Sequence, residues 1–151
     1  MNQASHCFRF EKDFVGDWRC IPLCVRRKLD LIGVKLKLSH WLELTQEQRQ
    51  ILVDWSDELP ALNEFREHLR LLTRCMAEGM VKDLPLAVDE PWQLLEEIPQ
   101  IVQQSALKKS IAINMSQWAS LCELERFALC KLARPGHDHH NLDAAFSEVL
   151  E

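Results

Sequence analysis

Apolar residues recur along this chain at two spacings, and the spacing changes at punctuating residues. Over 21–32 the positions Ile21, Cys24, Val25, Leu29 and Ile32 share one helical face. Pro22 falls in the first turn, where a missing N–H is harmless, and Gly33 lies just past the end. Residues 34–38 (Val, Lys, Leu, Lys, Leu) then alternate with period two, as a strand does. Ser39 can cap a short turn carrying Trp41 and Leu44. Thr45 with Gln48 makes a capping box that opens a helix to about Trp55. The longest helix is predicted over 60–78, where Leu62, Phe65, Leu69, Leu72 and Met76 recur three or four apart and Gly79 stops the run. Residues 80–91, with Pro85 and Pro91, read as a linker. A short helix over 92–97 and another over 98–109, with Pro99 at its start, follow. Residues 111–115 alternate weakly, 116–134 have helical periodicity, 134–141 read as a loop, and Asp143 can cap a last helix through Phe146 and Leu150. At the other end, Phe8, Arg9 and Phe10 alternate as a short strand or an extended arm.

Displacing the chain by 77 residues brings Ile21, Pro22 and Val25 onto Ile98, Pro99 and Val102. Ser39, Trp41, Leu44, Arg49 and Leu52 then meet Ser116, Trp118, Leu121, Arg126 and Leu129 without a gap. Rare residues match in register, and the order of helical and alternating segments agrees. The pattern predicts an internal repeat of 21–55 and 98–132, with Phe65, Leu69 and Leu72 falling on Leu142, Phe146 and Val149. The expected fold is mainly α: one compact helical domain over 1–151, built from two pseudo-twofold related helical halves. A short two-stranded ribbon of 34–38 with 111–115 fits that symmetry.

Composition narrows the function classes. With 151 residues, 47% hydrophobic and 27% charged, the chain is an ordinary globular sequence, neither disordered nor fibrous. Four scattered glycines exclude phosphate-cradling loops and the dinucleotide fingerprint. No secretory h-region and no membrane-length apolar run occur, so the expectation is a cytoplasmic protein with no membrane partner. Its six cysteines are then expected to be free and buried. Net charge is −5, but residues 1–40 hold eight basic and four acidic side chains, and 41–151 hold ten and nineteen. The basic run Arg26, Arg27, Lys28 with Lys35 and Lys37 is too small for nucleic acid; it reads as a solvated helix face or as a docking patch for an acidic partner.

Candidate chemistry is sparse. His137, Asp138, His139 and His140 are residue types that bind zinc, copper, nickel or iron, or else form a solvated loop. Cys20 and Cys24 share one helical face, as part of a cluster or redox site, or as small apolar fillers; Cys7 joins them only if the fold brings it near. No nucleophile signature is present, and Glu96, Glu97, Glu123 and Glu125 read as helix-surface carboxylates. Trp18 and Trp92 lie off the periodic faces and are the tryptophans suited to a partner surface.

Two blocks carry a family likeness. One is Phe8, Phe10, Glu11, Asp13 and Phe14, then Arg19 to Pro22, Val25, Arg26, Lys28 to Asp30, Gly33, Lys35 and Leu36. The other is Arg126 to Leu129, Lys131, Leu132, Arg134 to His137, Asn141 and Leu142. In order, spacing and length the chain resembles the nitrate-reductase-associated protein family, small bacterial proteins found largely in cyanobacteria. The resemblance implies a non-enzymatic accessory role. Members are associated with assimilatory nitrate reductase, an enzyme with a molybdenum cofactor and an iron–sulfur cluster, and are needed for its activity. A maturation factor, a stabilising partner or an assembly chaperone fits, with the reductase polypeptide as protein partner. No catalytic residue carries over, and no cofactor of its own is expected. The candidate contact residues are Trp18, Arg19, Cys20, Cys24, Arg134, Gly136, His137 and Asn141. Arginine can hold an anionic cofactor group or a partner carboxylate, Gly136 allows a turn, and His137 can hydrogen-bond or ligate. The alternatives are a small metal- or ligand-binding protein using the 134–141 loop, with His137, His139 and His140 as ligands, and a generic helical adaptor.

Overall fold

The computed structural model describes residues 1–12, 18–134 and 141–150. They are mainly helical, with eight α-helices and one short antiparallel ribbon among them. The chain divides into two compact units, one formed by Met1–Cys7 and Glu11–Ala87, the other by Phe8–Phe10 and Val88–Glu151.

In the first unit, helix α1 spans Leu23–Ile32 with Pro22 at the N-cap. It ends where Gly33 turns left-handed (φ 64°) and donates back to Asp30 and Leu29. A side chain at Gly33 would also place its Cβ 2.3 Å from the Leu84 carbonyl oxygen. Strand β1, Val34–Lys35, pairs with β2, Lys82–Asp83, in the register Val34↔Asp83 and Lys35↔Lys82. This corrects the ribbon expected with 111–115. Residues 111–114 form no strand, and Lys37 and Leu38 already belong to the next helix start. The stretch expected as a linker supplies the pairing strand instead. Thr73 explains how: its hydroxyl donates to Leu69 O (2.8 Å) and accepts from Val81 N (3.0 Å), turning the chain back. The long helix, α4 (Leu59–Thr73), therefore stops before the predicted residue 78. Beyond β2, Leu84 N donates to Gly33 O and Ala87 N to Asp30 O, so 84–87 is a strap pinned over the end of α1.

Helix α2, Leu38–Glu43, opens at Lys37 rather than at Ser39. The Lys37 N–H donates to His40 Nδ1 (3.0 Å), and His40 Nε2 lies 2.8 Å from Gly79 O. These partners fix the buried ring with its proton on Nε2. Helix α3, Gln46–Asp54, opens with the predicted reciprocal box of Thr45 and Gln48. Cys24, Val25, Trp41, Leu52, Phe65 and Leu69 form the fully enclosed core of this unit.

The second unit holds α5 (Gln100–Lys108), α6 (Met115–Ser120), α7 (Glu123–Leu132) and α8 (Leu142–Leu150). Pro99 is the α5 N-cap, and Ser110 just past its end is left-handed (φ 57°). The single periodic run expected over 116–134 is two helices. Leu121 is extended, and the Cys122 N–H is taken by the Glu125 carboxylate (2.9 Å), which starts a new helix. The 92–97 segment holds only a single 3-10 turn at Pro91–Gln93. The first unit's neighbours in sequence, Phe8 and Phe10, form no strand. They stack at 5.0 Å, and the Arg9 and Phe10 N–H groups donate to the Glu148 carboxylate of α8. Val102, Trp118, Leu124, Phe127, Leu129 and Leu142 are fully enclosed here.

Candidate functional site

The expected basic face divides: Arg26 and Lys35 are exposed and Lys37 is half-buried, but Arg27 and Lys28 are interior. Arg27 is buried and forms an ion pair with Asp57 at 2.9 Å. Lys28 has no exposed surface, and its Nζ donates to Leu52 O (2.7 Å), Val53 O (2.8 Å) and Trp55 O (2.9 Å). Those are the orphan carbonyls at the end of α3, which a cation stabilises. Burial pushes the Lys28 pKa down to about 8, which still leaves it charged at neutral pH. A solvated stripe or a docking patch therefore does not describe Arg27 and Lys28, whereas Arg26 stays exposed. The signal was present in the phase, since residue 28 shares the α1 face of Cys24 and Ile32.

The N-terminal candidates fall into separate roles. Trp18 is left-handed (φ 62°), its carbonyl accepts from Trp41 Nε1 (2.6 Å), and its ring lies 6.1 Å from the Trp41 ring. It is half-buried, so it packs as much as it presents. Arg19 is exposed and Cys20 half-buried. Cys24 is enclosed and Cys7 is exposed. The influence of Cys7, with burial, pushes the Cys24 pKa up, and that of Cys24 pulls Cys7 below the ordinary thiol value. The cysteines are all free, but only Cys24 and Cys130 are buried, which corrects the expectation that all six are enclosed. No three His, Cys, Asp or Glu side chains among the described residues form a metal-binding group.

In the second unit a cavity of about 500 Å³ opens beside the C-terminal end of α7. Arg134, one of the predicted residues, lines it. So do Lys131, Glu97, which the sequence presents as a helix-surface carboxylate, and two carboxylates with no sequence signal, Asp89 and Glu90. Trp92 and Ile101 give it an apolar wall. Trp92 is a core residue and not a free partner anchor: it is buried, meets Phe127 edge-on at 5.0 Å, and its carbonyl accepts from Arg126 Nε (3.0 Å). Cys130 also lines the cavity, with its thiol pushed up to about 12 by burial, so it is a neutral wall and not a nucleophile. A site with an apolar wall and both charge signs at its rim suits an amphipathic or zwitterionic group. Asn141 is half-buried immediately before α8. Gly136, His137, His139 and His140 lie outside the described residues.

No helix among the described residues is long and apolar enough to cross a membrane. A family model described as conserved nitrate reductase-associated protein matches residues 7–149. No curated protein and no solved structure matches the chain.

Proposed function

The chain belongs to the conserved nitrate reductase-associated protein family, and on that premise we propose that it is a non-enzymatic accessory factor of nitrate assimilation. It binds the nitrate reductase polypeptide in the cytoplasm and matures or stabilises it. Family membership is the observation that carries this reading. The strap supports it: Leu84 and Leu86 are about half exposed while their backbone is pinned to α1, so they are held out rigidly. Fixed apolar side chains cost little ordering entropy when a partner covers them. The test is nitrate reductase activity in a host strain lacking this chain. Activity should fall and return with the wild-type gene, but not with Leu84→Ser/Leu86→Ser. Full activity in the deletion strain would defeat the proposal.

We also propose that the two units descend from one duplicated helical unit. At the offset of 77, both first helices follow a proline N-cap, and both are followed by a left-handed residue, Gly33 or Ser110. Arg26 Nε donates to Ile21 O (3.0 Å), and Gln103 Nε2 donates to Ile98 O (2.8 Å). The short helices Leu38–Glu43 and Met115–Ser120 match end to end and enclose Trp41 and Trp118.

A second reading, a ligand-binding role, is favoured by one observation: Arg134 lines the cavity. Elemental analysis of protein purified without nickel resin, with and without His137→Ala, tests the metal form of that reading. Stoichiometric metal lost in the variant would support it.

A further inference from the structure

The cavity beside the end of α7 has walls of opposite charge, and the proposed accessory role does not account for them. Asp89, Glu90 and Trp92 belong to one turn, which the Glu90 N–H closes on Gln93 Oε1 (2.8 Å). That turn is fastened to α7: Trp92 is buried against Phe127, and Arg126 Nε donates to Trp92 O (3.0 Å). Arg126, Cys130 and Arg134 recur four apart, so the α7 face that anchors the turn also leads up the opposite wall. Lys131 stands beside it, its Nζ over the Phe127 ring at 5.1 Å. Both walls are therefore in place before any ligand arrives, which lowers the ordering cost of binding. Asp89 is left-handed (φ 54°), a conformation uncommon for residues with a side chain and one that collects at binding sites. The Asp89 and Glu97 carboxylates form no hydrogen bond or ion pair among the described residues, whereas that of Glu90 accepts from the Gln93 N–H.

We propose that this cavity binds a zwitterionic dipeptide, with its ammonium on Asp89 and Glu97, its carboxylate on Lys131 and Arg134, and an apolar side chain against Trp92 and Ile101. Size favours two residues over one. A compact cavity of about 500 Å³ measures roughly 8–10 Å across, and two residues of extended chain span about 7 Å. A free α-amino acid carries both charges on one carbon and cannot reach both walls. The charged ends fix the direction of the ligand through charge-assisted hydrogen bonds, and the apolar wall takes the side chain. This deepens the ligand-binding reading and rests on it. The accessory role is read on reductase activity and this one on peptide affinity, so either can fail without the other.

The test is calorimetric titration of the full chain with glycyl-L-leucine at neutral pH. The expected Kd is roughly 1 mM or tighter. N-acetylglycyl-L-leucine, glycyl-L-leucinamide and free leucine should each bind at least about tenfold more weakly, because each lacks one charge or the reach. Asp89→Asn/Glu97→Gln and Arg134→Gln should each weaken glycyl-L-leucine by about tenfold or more. All three side chains are exposed, so both variants should keep the wild-type melting curve. In NMR spectra the amides of Gln100, Ile101 and Lys131 should shift as the peptide is added. No binding at ten times the expected Kd, equal affinity for the capped peptides, or full affinity in both variants would overturn the proposal. Shifts confined to the first unit would overturn it as well.

Discussion

Replacing Lys28 by Met keeps the apolar stem and removes the ammonium, so it asks which of two large effects wins. The ammonium makes three hydrogen bonds of 2.7–2.9 Å to buried carbonyls. Bonds from a charged donor contribute about 1.5–3 kcal/mol each, or together about 4.5–9 kcal/mol. Against this stands desolvation. The fall of the Lys28 pKa from 10.5 to about 8 corresponds to about 3 kcal/mol of opposing free energy. The balance favours the lysine by about 1–6 kcal/mol, and Lys28→Met should lose about 3 kcal/mol. Urea unfolding at pH 7, followed by tryptophan fluorescence, measures it. The end of α3 should also exchange its amide hydrogens faster in the variant, because its carbonyls have lost their cap. A variant as stable as the wild type, or more stable, would refute the reasoning and show that burying the charge costs more than the cap returns.

Three further outcomes follow from the same geometry. Gly33→Ala forces a left-handed alanine and drives its Cβ to 2.3 Å from Leu84 O; it should cost at least about 2 kcal/mol and speed exchange at the Leu84 and Ala87 amides. Cys130 is raised from 9.0 to about 12 in the fold, so the unfolded chain releases that proton first and stability falls as pH rises from 9 towards 12. Between pH 8 and pH 10 this amounts to about 1 kcal/mol, and urea titrations of Cys130→Ala should show that much less loss than the wild type. Arg49 and Arg126 each satisfy two backbone carbonyls, one donating to Trp41 O and Leu42 O, the other to Trp92 O and Leu121 O. Arg49→Met and Arg126→Met should each destabilise by about 2 kcal/mol or more in thermal melts, with the more buried Arg126 costing more.

Local signals were legible in the sequence, and non-local ones were not. The Pro22 start, the Gly33 stop and the Thr45–Gln48 box appear where sequence chemistry puts them, because each involves partners within a few residues. The break at Leu121 and Cys122 was hidden by continuous apolar spacing and by a cysteine at the cap position, a residue with no capping preference. At the offset of 77, Leu44 and Thr45 fall on Leu121 and Cys122, a correspondence that the reading of 116–134 as one run left unused. Pairing of Val34 with Asp83 depends on where Thr73 turns the chain, and no short window contains that information. Arg27 and Lys28 were judged by charge when their helical phase already placed Lys28 among the apolar positions. Of the candidate site residues, Arg134 reaches the cavity. Asp89 and Glu90 come from a segment that reads as a linker and Glu97 from one that reads as a short helix, so proximity to Arg134 had no sequence signature.

The most direct measurement is sedimentation of the purified chain mixed with purified nitrate reductase polypeptide lacking its molybdenum cofactor. A complex sedimenting faster than either component, and lost with Leu84→Ser/Leu86→Ser while that variant keeps the wild-type melting curve, is the predicted result. Independent sedimentation of the two wild-type proteins, with the reductase in either cofactor-free or loaded form, would contradict the account.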